Sequence, residues 1–114
     1  MLQANAGKAL DIVAISDVVD ALARDGRATI QRAADELRVS RRSLQRYLAA
    51  SGVTFSDLRD QSLNRAALTM LAHSELSIAS ISERLGYNNP SSFTRAFARW
   101  NGITPVIYRR RIQK

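Results

Sequence analysis

Apolar residues recur along this chain at intervals of three and four, and short polar breaks divide the pattern into seven segments. The first, roughly 11–25, carries Ile12, Ile15, Val18, Val19 and Leu22 and stops at Asp25-Gly26. Thr29 can cap a second helix with Ile30, Ala33, Ala34 and Leu37 on its inner face. Arg38-Val39 then makes a turn with Val39 pointing inward. Ser40 caps a third helix over roughly 41–50 that buries Leu44, Tyr47 and Leu48. Ser51-Gly52 ends it, since glycine tolerates the left-handed conformation that closes a helix.

From Thr54 the period runs through Phe55, Leu58, Leu63, Ala66, Ala67, Met70 and Leu71 to about His73. At about 1.5 Å per residue, such a stretch makes a rod of roughly 30 Å. Ser77 caps the next helix, with Ile78, Ile81 and Leu85 inward, and Gly86-Tyr87-Asn88-Asn89 is a turn. Pro90 suits the first turn of the helix that follows, where a missing backbone donor costs nothing. That helix, roughly 90–100, buries Phe93, Ala96, Phe97 and Trp100 and ends at Asn101-Gly102. Thr104-Pro105 opens a final helix with Val106, Ile107 and Tyr108 before a basic tail. No segment alternates as a strand would, so the expected fold is all-α with seven helices.

The pattern also occurs twice. Thr29 to Leu37, then Leu44-Gln45-Arg46-Tyr47-Leu48 and Gly52-Val53-Thr54, is echoed by Ser77 to Leu85, then Phe93-Thr94-Arg95-Ala96-Phe97 and Gly102-Ile103-Thr104. Each copy is a short helix, a tight turn and a second short helix, the plan of a helix-turn-helix unit. Four stretches follow: a linker or frayed lead-in over 1–10, a first helix-turn-helix subdomain over 11–52, a connector helix over 53–74, and a second subdomain with the tail over 75–114.

Charge narrows the function. The net charge is +7, from fifteen arginines and two lysines against ten acids, and no acid follows Glu83. Such a surface attracts a polyanion, either nucleic acid or an anionic membrane. The dominance of arginine favours nucleic acid, because its planar fork grips phosphate or guanine with two bonds at once. There is no cysteine, hence no disulfide framework and no thiolate metal site. No apolar run approaches the roughly 20 residues that span a bilayer, and Met1 to Leu10 lacks the charged and apolar regions of a secretion signal. A cytoplasmic protein without a membrane partner is expected, with no cofactor and no metal.

In the third helix the inward residues leave Arg42, Gln45, Arg46 and Ala49 along one outer face. Arginine matches guanine O6 and N7 and glutamine matches adenine N6 and N7, so this face can read base edges in a major groove. The second unit presents Pro90, Ser91, Ser92, Thr94 and Arg95. Small hydroxyl side chains bring a helix close to the groove but discriminate weakly, so the first unit is expected to carry more of the specificity. Phosphate contacts are expected from helix starts and flanking donors: Thr29, Arg32, Arg38, Arg41, Ser77, Asn88 and the tail Arg109, Arg110 and Arg111. Asn88 and Asn89 also suit capping and the turn itself.

With these residues assembled, the chain resembles the DNA-binding domain of the AraC/XylS family of bacterial transcription regulators, from about Asp11 to Arg110. The likeness is strongest from Ser77 to Arg109, in Ser77-Ile78, Ile81, Leu85-Gly86-Tyr87, Pro90-Ser91, Phe93, Arg95, Phe97, Arg99-Trp100, Gly102-Ile103-Thr104-Pro105 and Tyr108-Arg109. Leu44-Gln45-Arg46 in the first unit is typical as well. The resemblance implies seven helices, two helix-turn-helix units joined by one long helix, and both reading helices in successive major grooves on one face of the duplex. It implicates Arg42, Gln45 and Arg46 in the first unit and Pro90, Ser91, Ser92, Thr94 and Arg95 in the second. A connector of roughly 30 Å agrees with half-sites about 34 Å apart. Most members of the family also carry a separate effector-binding or dimerisation domain, for which 114 residues leave no room; the expectation is a fragment of a longer regulator with that domain on a missing N-terminal part, the alternative a free-standing member.

The residues argue against an enzyme. His73 is the only histidine, at the end of the connector beside Ser74 and Glu75, and no glycine loop or metal-ligand cluster is present. The competing reading is a helical interaction module that contacts RNA polymerase or another protein through Arg84, Arg99 and the tail without reading DNA. RNA binding is weaker, because the aromatic residues fall at inward positions rather than on a stacking platform.

Overall fold

The computed structural model describes residues 10–113. The lead-in expected over 1–10 therefore lies outside the described residues, except for Leu10, which packs against the first core. Seven α-helices follow in order: α1 Ile12–Arg24, α2 Ile30–Leu37, α3 Arg41–Ala50, α4 Phe55–His73, α5 Ile78–Arg84, α6 Pro90–Asn101 and α7 Pro105–Ile112. Each begins where a short polar side chain takes up a free backbone N–H of the first turn: Asp11, Thr29, Ser40, Thr54, Ser77, Asn89 and Thr104. At α4 the bond is reciprocal, since the Asp57 carboxylate also accepts from the Thr54 N–H.

Two cores form. The first buries Ile15, Val19 and Leu22 of α1, Ala33, Ala34 and Leu37 of α2, Leu44 and Leu48 of α3, and Leu58 of α4. The second joins Leu63, Ala66, Ala67 and Leu71 of α4 to Ile81, Leu85, Phe93 and Phe97, with Ala23 from the end of α1. Rings of Tyr87, Phe93, Phe97 and Tyr108 run through it at centroid separations of 5.6 to 5.9 Å. The 19-residue α4 serves both cores along its length, with Leu58 near its start in the first and Leu63, Ala66, Ala67 and Leu71 in the second, while Asp57, Gln61, Arg65, Thr69 and His73 stay exposed along its outer side. The molecule measures 52 × 25 × 24 Å.

Polar ties hold the other helices onto α4. Ser62, buried, donates to Asp20 of α1, and the Arg65 guanidinium reaches the same carboxylate oxygen at 2.6 Å. The amides of Asn64 and Asn101 bond each other in both directions, at 2.8 and 3.2 Å, fixing the end of α6. Several inward residues are less enclosed than their spacing predicts: Ile12 is exposed, and Val18, Ile30, Tyr47, Phe55, Met70, Ile78 and Trp100 are half-buried, packing on the cores from their rims.

Candidate nucleic-acid interface

Helix α3 is anchored from beneath. Leu44 and Leu48 are fully enclosed, while Arg41, Arg42, Gln45, Arg46 and Ala49 are exposed. The preceding turn is set by Arg38, whose backbone adopts φ 59° and whose N–H reaches the carbonyls of Ala34 and Asp35 at the end of α2. The Val39 N–H bonds the Ala34 carbonyl at 3.1 Å, and its side chain packs on the core as expected. Among the described residues no carboxylate pairs with Arg42 or Arg46. Their guanidinium groups and the Gln45 amide form an unpaired row of donors on a fixed backbone.

Helix α6 is positioned by a different device. The turn before it is one residue longer than its counterpart before α3, running from Leu85 to the cap Asn89 rather than from Leu37 to the cap Ser40. The Asn89 side chain accepts from the Ser92 N–H at 2.8 Å, and its carbonyl accepts from the buried Ser82 hydroxyl at 3.1 Å. Ser82 occupies the place of Ala34 in the repeat, so this tie belongs to the second unit alone. Pro90, Ser91 and Arg95 are exposed, whereas Ser92 and Thr94 are half-buried. The Arg95 guanidinium lies 3.5 Å from the Ser92 hydroxyl, a contact too long to hold it in place.

The expected phosphate donors divide. Arg32, Arg38, Arg41, Asn88, Arg110 and Arg111 are exposed. Thr29 and Ser77 are exposed too, and their hydroxyl oxygens already accept from the N–H groups of Arg32 and Ser80 as caps. Asn88 is not the cap of α6, a role that falls to Asn89.

Arg109 is a correction. Its guanidinium is turned inward and donates to the carbonyls of Leu71, Leu76, Met70 and Ser74, at the end of α4 and in the loop beyond. These include carbonyls that a helix C-terminus leaves without partners. Positive charge is also favoured at that end of the helix dipole. Arg109 closes the connector and is spent as a phosphate ligand.

Three residues outside the expected set stand at junctions of the fold: Ser82, whose hydroxyl ties to the turn before α6, and Gly26 and Gly86, whose backbones approach each other. A β-carbon on Gly26 would lie 2.7 Å from the Arg84 carbonyl oxygen, and one on Gly86 would lie 3.0 Å from that of Gly26.

A helix-turn-helix domain family model matches residues 33–111. The ornithine utilization regulator of Pseudomonas aeruginosa is 40% identical over 80 residues, covering 70% of this chain and 24% of that protein. The crystal structure of the transcriptional regulator CdpR from the same organism superposes with a TM-score of 0.71 at 35% identity, over 87% of this chain and 30% of that one. The DNA-binding domain of AdpA, a global transcriptional factor solved with a target DNA, shares the fold: TM-score 0.70, 20% identity, 87% of this chain and 92% of that one. The chain spans about a quarter of the length of the curated relatives it matches.

Proposed function

The chain belongs to the AraC-type helix-turn-helix family, and on that footing we propose that it is the DNA-reading part of a transcription regulator. It binds double-stranded DNA with α3 and α6 in successive major grooves. The observation that carries this reading is the outer row of α3. Arg42, Gln45 and Arg46 stand exposed and free of acidic partners on a helix whose opposite side is locked by Leu44 and Leu48. Such a row is suited to guanine and adenine edges, and its fixed backbone lowers the ordering cost of each contact.

Arg95 is the strong reader of α6, with Pro90, Ser91, Ser92 and Thr94 bringing that helix close to the groove. Arg32, Arg38, Arg41, Arg110 and Arg111, with Thr29, Ser77 and Asn88, contact phosphate and set register. For the whole regulator, the proposal extends to an effector-binding or dimerisation domain on the N-terminal side, to RNA polymerase as the partner addressed from the bound site, to a cytoplasmic location and to no catalytic role. Among the described residues no helix is long and apolar enough to cross a membrane.

Selection of bound sites from a pool of random duplexes tests the reading. Two short blocks with centres about 34–36 Å apart are expected, one helical turn of B-DNA. Binding should weaken steeply with salt, because each neutralised phosphate releases condensed counterions. A pool with no enriched block, or equal retention of single strands and RNA, would reject it.

A further inference from the structure

Four glycines among the described residues have left-handed backbones: Gly26, Gly52, Gly86 and Gly102, at φ 71°, 80°, 94° and 80°. By conformation they are alike, but their surroundings are not. A β-carbon on Gly52 or Gly102 would meet nothing within 4 Å. On Gly26 it would strike the Arg84 carbonyl oxygen at 2.7 Å and lie 3.2 Å from the Gly86 nitrogen. On Gly86 it would lie 3.0 Å from the Gly26 oxygen and 3.4 Å from its α-carbon. Every one of these neighbours is backbone, which cannot step aside as a side chain does.

The repeat supplies an internal comparison. Leu85-Gly86 in the second unit corresponds to Leu37-Arg38 in the first, and Arg38 adopts φ 59° with an arginine side chain. A left-handed backbone at this turn therefore does not by itself demand glycine. The close approach of the other lobe does. Gly26 ends α1, whose Ile15, Val19 and Leu22 belong to the first core, and leads through Thr29 into α2. Gly86 opens the turn that delivers α6. Ala28, Leu63, Leu85 and Tyr87 line the same junction.

We propose that the Gly26–Gly86 backbone contact is the pin that sets the separation and angle of α3 relative to α6. These two glycines then determine the spacing of the composite DNA site while contacting neither block. This rests on the two-helix reading above. Backbone against backbone has no rotamers to absorb error, so a single methyl group wedges the lobes apart and the two helices no longer fit neighbouring grooves together.

The test measures affinity for three kinds of duplex: the selected two-block site, the same site with its spacer lengthened or shortened by one base pair, and a site with the first block alone. Gly26→Ala and Gly86→Ala should lose at least about tenfold on the native spacing, a small part of the 10²–10⁴ that simultaneous engagement supplies. Both should lose the preference for that spacing and bind the single block as the parent does. Gly86→Asn, which tolerates the left-handed backbone but keeps the β-carbon, should behave like Gly86→Ala. Gly52→Ala and Gly102→Ala carry the same backbone strain without the collision and should keep the parental spacing preference. Unchanged spacing preference in Gly86→Ala and Gly86→Asn, or its equal loss in Gly52→Ala, would overturn the proposal. If the parent protein itself selects no two-block site, it is the two-helix reading that fails, a result visible before any variant is made.

Discussion

Arg46 and Arg109 carry the same side chain to opposite ends. Arg46 stands exposed on α3, so its replacement by alanine should relax preference at one base pair at about 1–3 kcal/mol and leave folding intact. Site selection with the variant checks this, and an unchanged motif would show that Arg46 does not read a base. Arg109 is committed to four carbonyls around the end of α4. Arg109→Ala should therefore lower stability by at least about 1.5 kcal/mol, the low end for a hydrogen bond to a charged group. The salt dependence of DNA binding should stay as it was. A phosphate ligand would give the reverse, a salt slope shallower by about one and an unchanged melting temperature. Asp20 gives a pH dependence. Burial alone would raise its pKa, but hydrogen bonds from Ser62 and Arg65, with the charges of Arg65 and Arg24, outweigh it and leave the carboxyl below its ordinary value of 3.8. A depressed folded pKa means the stabilisation is present above the ordinary value and lost as pH falls through the folded one. Parent and Asp20→Asn should accordingly differ in denaturation midpoint at neutral pH, and the gap should begin to close only as pH falls past the ordinary carboxyl value of about 4. A gap that stays constant on acidification would remove the carboxylate from the account.

At the level of elements, the helices were legible because two independent signals coincide at most of them. Ser40 caps α3 and Leu44 and Leu48 mark its inner side, and the same pairing of cap and apolar period holds for Thr29 with α2 and Ser77 with α5. The outer side of α3 follows directly, since what is not needed inward is left outward, and exposure bears this out for Arg42, Gln45 and Arg46. Helix α4 was legible as a helix but not in its partners. Leu58 serves the first core and Leu63, Ala67 and Leu71 the second, and a helical period cannot say which neighbour each side meets. Arg109 was misread because a basic tail looks the same whether it faces phosphate or carbonyls. The usable signal was the set of unpartnered carbonyls that a long helix leaves at its end. Ser82 had a signal too, in the extra residue of the second turn, which frees the Asn89 carbonyl to accept from its hydroxyl. Ser82→Ala should cost about 0.5–1.5 kcal/mol, the net worth of one hydrogen bond, and should weaken binding to the second block while sparing the first. Equal loss on both blocks would place its effect on the fold as a whole. The Gly26–Gly86 approach had no local signature at all, since it arises only when both lobes are docked on α4.

For the molecule as a whole, the decisive arrangement is that neither lobe owns its core. Helix α1 contributes Ile15, Val19 and Leu22 to the first and Ala23 to the second, and α4 supplies Leu58 to one and Leu63, Ala66, Ala67 and Leu71 to the other. Melting the second lobe would strip α4 and the last turn of α1 of one side, and with them the platform on which the first lobe rests. The two units should therefore unfold together although they read DNA separately. Phe97 and Leu44, each fully enclosed, test this from opposite ends. Phe97→Ala should cost about 3–5 kcal/mol and Leu44→Ala about 2–5 kcal/mol through the cavities they leave. Against a total stability of about 5–15 kcal/mol for a domain, either is a large fraction. In calorimetry each variant should show a single transition moved to lower temperature, with agreement between calorimetric and van't Hoff enthalpies. Lobes that fold independently would instead give Phe97→Ala two transitions, one unshifted, and would leave its binding to the first block intact. The coupled arrangement predicts that heating Phe97→Ala abolishes binding to both blocks at the same temperature, because α4 is a wall of both cores.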